Sequence, residues 1–184
     1  MSEPSPERVL ETRRLYEGRI VNLRVDTVEL PGGRQATREV VEHGDVVAIV
    51  PLLEGDDVLL VRQYRLPTEK VLLEVPAGGV DEAESAEAAA QRELGEECGQ
   101  RAGRLERLGG FYVSPGFCNE FVHVFLATQL EPVESRPDPD EQLAVVRLPL
   151  PEALRLVSGG EIRDGKSIIG LTWAWAKVRG FTIE

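Results

Sequence analysis

GGVDEAESAEAAAQRELGEECGQ, residues 78–100, is the most informative stretch of this chain. Alanines, glutamates and Leu94 between Ser85 and Cys98 predict a helix, and Gly99 stands where a C-terminal cap belongs. Glu93 and Glu97 are four residues apart and share a helix face, with Glu96 beside them. Like charges at these spacings destabilise a helix by a few tenths of a kcal/mol per pair, which Arg92, four before Glu96, offsets in part. A residual carboxylate cluster calls for a divalent cation, and oxygen-only ligands favour Mg²⁺ or Mn²⁺ over zinc. The ordinary alternative is a solvated acidic face. Spacing decides between them. Gly78, Glu84, Arg92, Glu93, Glu96, Glu97 and Gly99 fall on the pattern G-x5-E-x7-R-E-L-x-E-E-x-G. At roughly 6% frequency each, seven fixed residues would match by chance on the order of once in a million chains or fewer.

This stretch resembles the Nudix box, the signature of Nudix hydrolases, at every charged and glycine position. It departs at Gln100, where the family usually has an aliphatic residue; that position packs just past the helix, so a local effect is expected. The resemblance implies an α/β fold, a Nudix-type α/β/α sandwich with a mixed β-sheet and an N-terminal β-hairpin. It also implies hydrolysis of a nucleoside diphosphate linked to another moiety. Glu93, Glu96, Glu97 and the backbone carbonyl of Ala77 match metal-ligand positions, with Glu96 and Glu97 also matching catalytic ones. Gly78, Glu84, Arg92 and Gly99 match structural positions of the box. Divalent ions held there would reverse the local charge for an anionic substrate and lower the pKa of a bound water.

Other stretches are similar to the ADP-ribose pyrophosphatase branch: VRQYR at 61–65, PAG at 76–78, REVVEHGDVVAIVP at 38–51, and SPGFCNE at 114–120, whose Pro115 lies 16 residues after Gly99. By this resemblance the substrate is ADP-ribose, split to AMP and ribose 5-phosphate. Arg38 and Glu39 match substrate contacts, often made across a dimer interface. Arg65 matches a phosphate-contacting arginine, a role its planar fork suits, with a surface ion pair as the alternative. Gly79 matches a substrate-binding position, and Ser114, Pro115 and Gly116 match the wall of the site, although Pro115-Gly116 alone would be a plain turn. Glu120 matches a residue that engages the terminal ribose. In the acidic loop 131–142, Glu141 aligns best with the catalytic base and a further metal ligand. Asp138 or Asp140 could substitute, the metals alone could activate water, or the loop is simply solvated. His43 matches a substrate-proximal position, though a lone histidine at a strand end is usually only hydrogen-bonded. The substrate alternatives are another nucleoside diphosphate derivative (a nucleotide sugar or dinucleotide) and a Nudix-fold nucleotide-sensing module; the intact glutamates argue against the last.

The rest of the chain fits this frame. Its 184 residues are 42% hydrophobic and 29% charged, the balance of one globular domain. A net charge of -11 argues against bulk nucleic-acid binding. No stretch is apolar for long enough to span a membrane. Two cysteines, Cys98 and Cys118, suggest no disulfide framework, so a reducing, cytoplasmic setting is expected. Residues 1–14 read as a flexible leader with no signal-peptide core. Residues 15–44 read as a hairpin region, expected to form a homodimer by resemblance, and 45–184 as the Nudix hydrolase domain. Strands are predicted at 20–30, 36–42, 46–53, 58–64, 71–75, 105–113, 121–130 and 143–148, and helices at 85–98, 151–157 and 167–178. Trp173 and Trp175 read as core or subunit contacts.

Overall fold

Strand β4 (Val46–Pro51) is apolar at nearly every position and buried on both faces, which makes it the centre of the architecture. In the computed structural model, which describes residues 5–135 and 142–181, the side chains of β4 alternate between two cores. Val47 and Ile49 join Leu59, Val61, Phe125 and the helix residues Ala89, Ala90 and Leu94. Ala48 and Val50 join Leu60, Val124, Leu126, Leu150, Leu171 and Ala174. A strand buried on both faces loses the apolar–polar alternation of a half-exposed one and reads as a continuous apolar run.

The chain divides into two compact units, one running through Asp45 with Tyr112–Phe121 added, the other comprising Val46–Phe111 and the chain from Val122 onward. In the second unit, β5 (Asp57–Arg65) pairs antiparallel with β6 (Lys70–Glu74) and β10 (Leu143–Pro149). A four-stranded mixed sheet runs β7 (Ala77–Gly79), β4, β9 (Phe121–Pro132), β8 (Gln100–Tyr112); β4 lies parallel to β9 and antiparallel to β7. Helix α1 (Ala86–Cys98) covers one core, and α2 (Leu150–Gly159) and α3 (Gly165–Val178) cover the other. This is the expected α/β/α arrangement with a mixed sheet. Trp173 packs edge-on to Phe111 with centroids 6.3 Å apart, and Arg179 lies 4.3 Å over the Trp175 ring. Both tryptophans therefore have partners within the fold.

The first unit departs from the expected hairpin. Strands β1 (Arg8–Glu17), β2 (Val21–Glu29) and β3 (Gln35–His43) form a three-stranded antiparallel sheet. Residues 8–14, expected in a flexible leader, are therefore strand. All ten residues of β1 are exposed, so it carries no apolar alternation. Pairing with β2 and cross-strand ion pairs such as Arg8–Glu29, 2.9 Å, hold it in place. Residues 112–121 also belong to this unit. Val41 N–H donates to the Phe117 carbonyl at 2.8 Å, and Asn119 N–H donates to the Val41 carbonyl at 3.3 Å. The second unit adds β7, where glycines hid a strand, and begins β8 at Gln100 rather than 105.

Helix α1 begins as its sequence dictates. Ser85 is the N-cap and its hydroxyl accepts from Ala88 N–H at 3.1 Å. Gly99 ends the helix with φ 60°, and a Cβ there would lie 3.2 Å from the Val133 carbonyl oxygen. Among the described residues no helix is long and apolar enough to cross a membrane. Ser85→Ala removes one cap bond, costing about 1 kcal/mol and lowering Tm by about 2–4 °C, measurable by scanning calorimetry with unchanged far-UV circular dichroism.

Candidate active site

Residues 74–79, EVPAGG, form the rail against which α1 is set, and each residue has its own tie. Arg65 donates to both carboxylate oxygens of Glu74, at 3.0 and 2.9 Å, and Lys166 donates to one of them at 2.5 Å. Val75 N–H donates to Ser167 Oγ at 2.8 Å, and Ile49 N–H donates to the Pro76 carbonyl at 2.9 Å. Ala77 N–H donates to Glu97 Oε2 at 3.1 Å. A Cβ on Gly78 would lie 2.0–2.5 Å from the carboxyl atoms of Glu93, so only glycine leaves that carboxylate where it is. The Gly79 carbonyl accepts from Arg92 at 2.9 Å.

Arg92 spends all its donors here. Nε and Nη2 fork onto Glu84 at 3.2 and 2.9 Å, and Nη2 also reaches Gly79. Nη1 donates to Glu93 at 2.6 Å and Glu96 at 3.1 Å. A guanidinium has five N–H groups, and these five bonds use them. The fork with Glu84 raises the Arg92 pKa further, and the same bond holds Glu84 below the usual carboxylate range. Glu84 in turn accepts from Asp81 N–H at 3.2 Å, which fixes the loop before the helix. Glu93 and Glu97 are both buried, 9% and 4% exposed, one turn apart on α1. At the end of the helix, Ser135 Oγ donates to the Glu96 carbonyl at 2.6 Å. Burial, then the neighbouring Glu97 charge, pushes the Cys98 thiol up to about 12, which disfavours the reactive thiolate.

Glu93, Glu96, Glu97, Ala77, Gly78, Gly79, Glu84, Arg92, Gly99 and Arg65 all lie in the second unit. Arg38, Glu39, Ser114, Pro115, Gly116 and Glu120 lie in the first. There Arg38 forks onto Glu7, with Nε to Oε2 at 3.0 Å, and Glu39 is exposed. Ser114 closes a tight turn, its carbonyl accepting from Phe117 and Cys118 N–H at 3.1 and 2.9 Å. His43 N–H donates to Asn119 Oδ1 at 2.8 Å. Asp138, Asp140 and Glu141 fall outside the described residues.

The NUDIX domain family matches residues 42–168, and the family described as the nucleoside diphosphate sugar hydrolase N-terminal domain matches residues 7–41. The chain belongs to the Nudix hydrolase family. Among its relatives is an ADP-ribose pyrophosphatase of Bacillus subtilis, 36% identical over 93% of this chain and 94% of that one. A methanol dehydrogenase activator of Bacillus methanolicus is 37% identical over 91% of each chain. A crystal structure of an ADP compounds hydrolase superposes with a TM-score of 0.87 at 25% identity, covering 98% of this chain and 99% of its own.

Nudix hydrolases generally use divalent metal ions. The donor chemistry of this member fits one: Glu93 and Glu97 bring hard carboxylate oxygens to adjacent turns beside the bare backbone of Gly78. Among the described residues, no three acidic, His or Cys side chains are gathered in ligand geometry. The structure brings Glu93 and Glu97 to the rail, draws Glu96 toward Arg92, and joins Ala77 to Glu97 through its N–H. Glu74, Asp164, Lys166 and Ser167 were not anticipated as parts of the site. One signal was present: a single charged residue in the apolar run VLLEV marks a buried carboxylate that needs partners.

Burial works against the charged form of Glu74, but the Arg65 hydrogen bond and the Lys166 charge outweigh it and hold its pKa below the usual glutamate value. A depressed folded pKa gives stability that is complete above the unfolded value, about 4.3, and lost as pH falls through the folded one. Wild type is therefore expected to melt above Glu74→Gln at neutral pH, with the gap narrowing below about pH 4 in a calorimetric pH series.

Proposed function

We propose that this Nudix hydrolase splits the diphosphate bond of ADP-ribose, releasing AMP and ribose 5-phosphate. The observation that carries this reading is the pair of buried carboxylates, Glu93 and Glu97, set one turn apart against the rail of residues 77–79. The likeness to the B. subtilis ADP-ribose pyrophosphatase over nearly the whole of both chains supports the choice of substrate.

Glu93 and Glu97, with Glu96, Glu141 and the carbonyl of Ala77, would hold Mg²⁺ or Mn²⁺. Such an ion, when bound, supplies positive charge for the diphosphate and acidifies a bound water. The chain's own residues do the rest. Arg92 and Glu84 keep the loop and helix in one arrangement and are positioning residues. Arg65 keeps three N–H donors after its two bonds to Glu74, enough for bidentate contact with a phosphoryl oxygen pair. Gly79 lies on the same rail. Glu141, or Asp138 or Asp140 in its place, would take the proton from water unless the bound ions alone activate it, and Glu96 and Glu97 match catalytic positions as well. By the same resemblance, Arg38 and Glu39 would contact substrate, often across a dimer interface, Ser114, Pro115 and Gly116 would shape the wall of a site, and Glu120 would engage the terminal ribose. Exposed Val9, Leu15, Tyr16 and Ile20 in and beside β1 support a homodimer formed by the first three strands, and sedimentation at the dimer mass is expected. The setting proposed is cytoplasmic.

A second reading is hydrolysis of a nucleotide sugar, favoured by the nucleoside diphosphate sugar hydrolase match over residues 7–41. A substrate panel with Mg²⁺ and with chelator separates the two. ADP-ribose turnover that chelator abolishes is expected; turnover of a nucleotide sugar or dinucleotide with ADP-ribose untouched would overturn the choice. Glu97→Gln keeps the side chain's shape and removes its charge. It is expected to lower kcat by about a hundredfold or more, the scale on which single electrostatic stabilisers act, with Tm little changed.

A further inference from the structure

Lys166 occupies a position that its own helix does not favour. It lies in the first turn of α3, where the helix dipole repels a cation, and its side chain is only 16% exposed. Its partners supply the reason. Lys166 Nζ is 2.5 Å from Glu74 and 2.9 Å from Asp164. Asp164 caps the helix, accepting from Ser167 N–H at 3.0 Å and from the Ser167 hydroxyl at 2.5 Å. Ser167 Oγ in turn accepts from Val75 N–H, the residue after Glu74. The start of α3 and the end of β6 are thus joined twice, by an ion pair and by a hydrogen bond between adjacent residues.

Glu74 is 1% exposed, so its charge must always be compensated. Were Arg65 its only cationic partner, the positive charge of the guanidinium would be balanced by Glu74 alone, although three N–H groups would still be unused. With Lys166 present, Arg65, Lys166, Glu74 and Asp164 form a quartet of zero formal charge. Arg65, 37% exposed, can then share its charge outward without leaving a buried carboxylate bare. Glu97 also acts electrostatically on Arg65, which places the exposed guanidinium within the field of the acidic helix face.

We propose that Lys166 is a positioning residue for substrate. It neutralises Glu74, so that Glu74 can aim Arg65 by a bidentate fork while the remaining N–H groups of Arg65 take a phosphoryl group of the diphosphate. This rests on the reading of the site as a diphosphate hydrolase.

The test compares wild type, Lys166→Arg, Lys166→Met and the double variant Glu74→Gln/Lys166→Met. KM and kcat are measured on ADP-ribose, Kd for α,β-methylene ADP-ribose by calorimetry with Mg²⁺, and Tm throughout. Lys166→Met should raise KM and Kd about tenfold or more with a much smaller change in kcat, the pattern of lost ground-state binding, and Lys166→Arg should recover most of it. Lys166→Met leaves a buried carboxylate short of one partner and should lower Tm. The double variant removes that charge and should recover Tm while KM and Kd stay high, because a neutral amide cannot hold the fork. Recovery of KM and Kd along with Tm would reduce Lys166 to a structural role and overturn the proposal. So would wild-type KM and Kd in Lys166→Met while wild type turns over ADP-ribose. Wild type that neither hydrolyses ADP-ribose nor binds the analogue is a different result, and overturns the functional reading on which the proposal stands.

Discussion

The guanidinium of Arg92 is the constraint on which the site depends. Three carboxylates and one backbone carbonyl converge on a single rigid plane, so the box loop, the rail and one face of α1 hold a single relative arrangement. Glu93 and Glu96 would repel each other at this spacing, and the arginine one residue before the first and four before the second offsets that repulsion from within the helix. A lysine could not do this, because a point charge on a flexible stem has no fork to set Glu84 and Gly79 at fixed angles to the helix.

Two further cations repeat the logic at Glu74, the first residue of the rail. Arg65 and Lys166 meet the buried carboxylate of Glu74 while Asp164 balances the set. The two networks are linked through residues 74–79, which bond to β4, α1 and α3 in turn. An acidic protein that handles an anionic compound must keep its local charges compensated before substrate arrives. Here every buried glutamate of the rail and helix meets a cation or a backbone N–H. The apolar cores on either face of β4 serve this purpose too, since they hold α1 and α3 on opposite sides of one strand.

The legibility of these features differs by range. The limits of α1 follow from Ser85, Gly99 and the apolar positions between them, all local signals, and the structure agrees to within a residue. The buried strand β4 is legible because both its faces are apolar. Strand β1 was not, because RVLETRRLYE has no buried face and is a strand only through its ladder with β2. Strand β7 was hidden by Gly78 and Gly79, residues rare in strands but needed where Glu93 approaches the backbone.

The box residues and their spacing were written in the amino-acid order alone, because a helix places neighbours three and four apart on one face wherever it forms. The family followed from that order, and so did the type of chemistry expected of Glu93 and Glu97. Which donor meets which carboxylate was decided by the tertiary structure. Glu74 and Lys166 are 92 positions apart, and no local periodicity relates them. Their pairing exists because burial of an uncompensated charge is costly and the packing of α3 on the sheet brings Lys166 within reach.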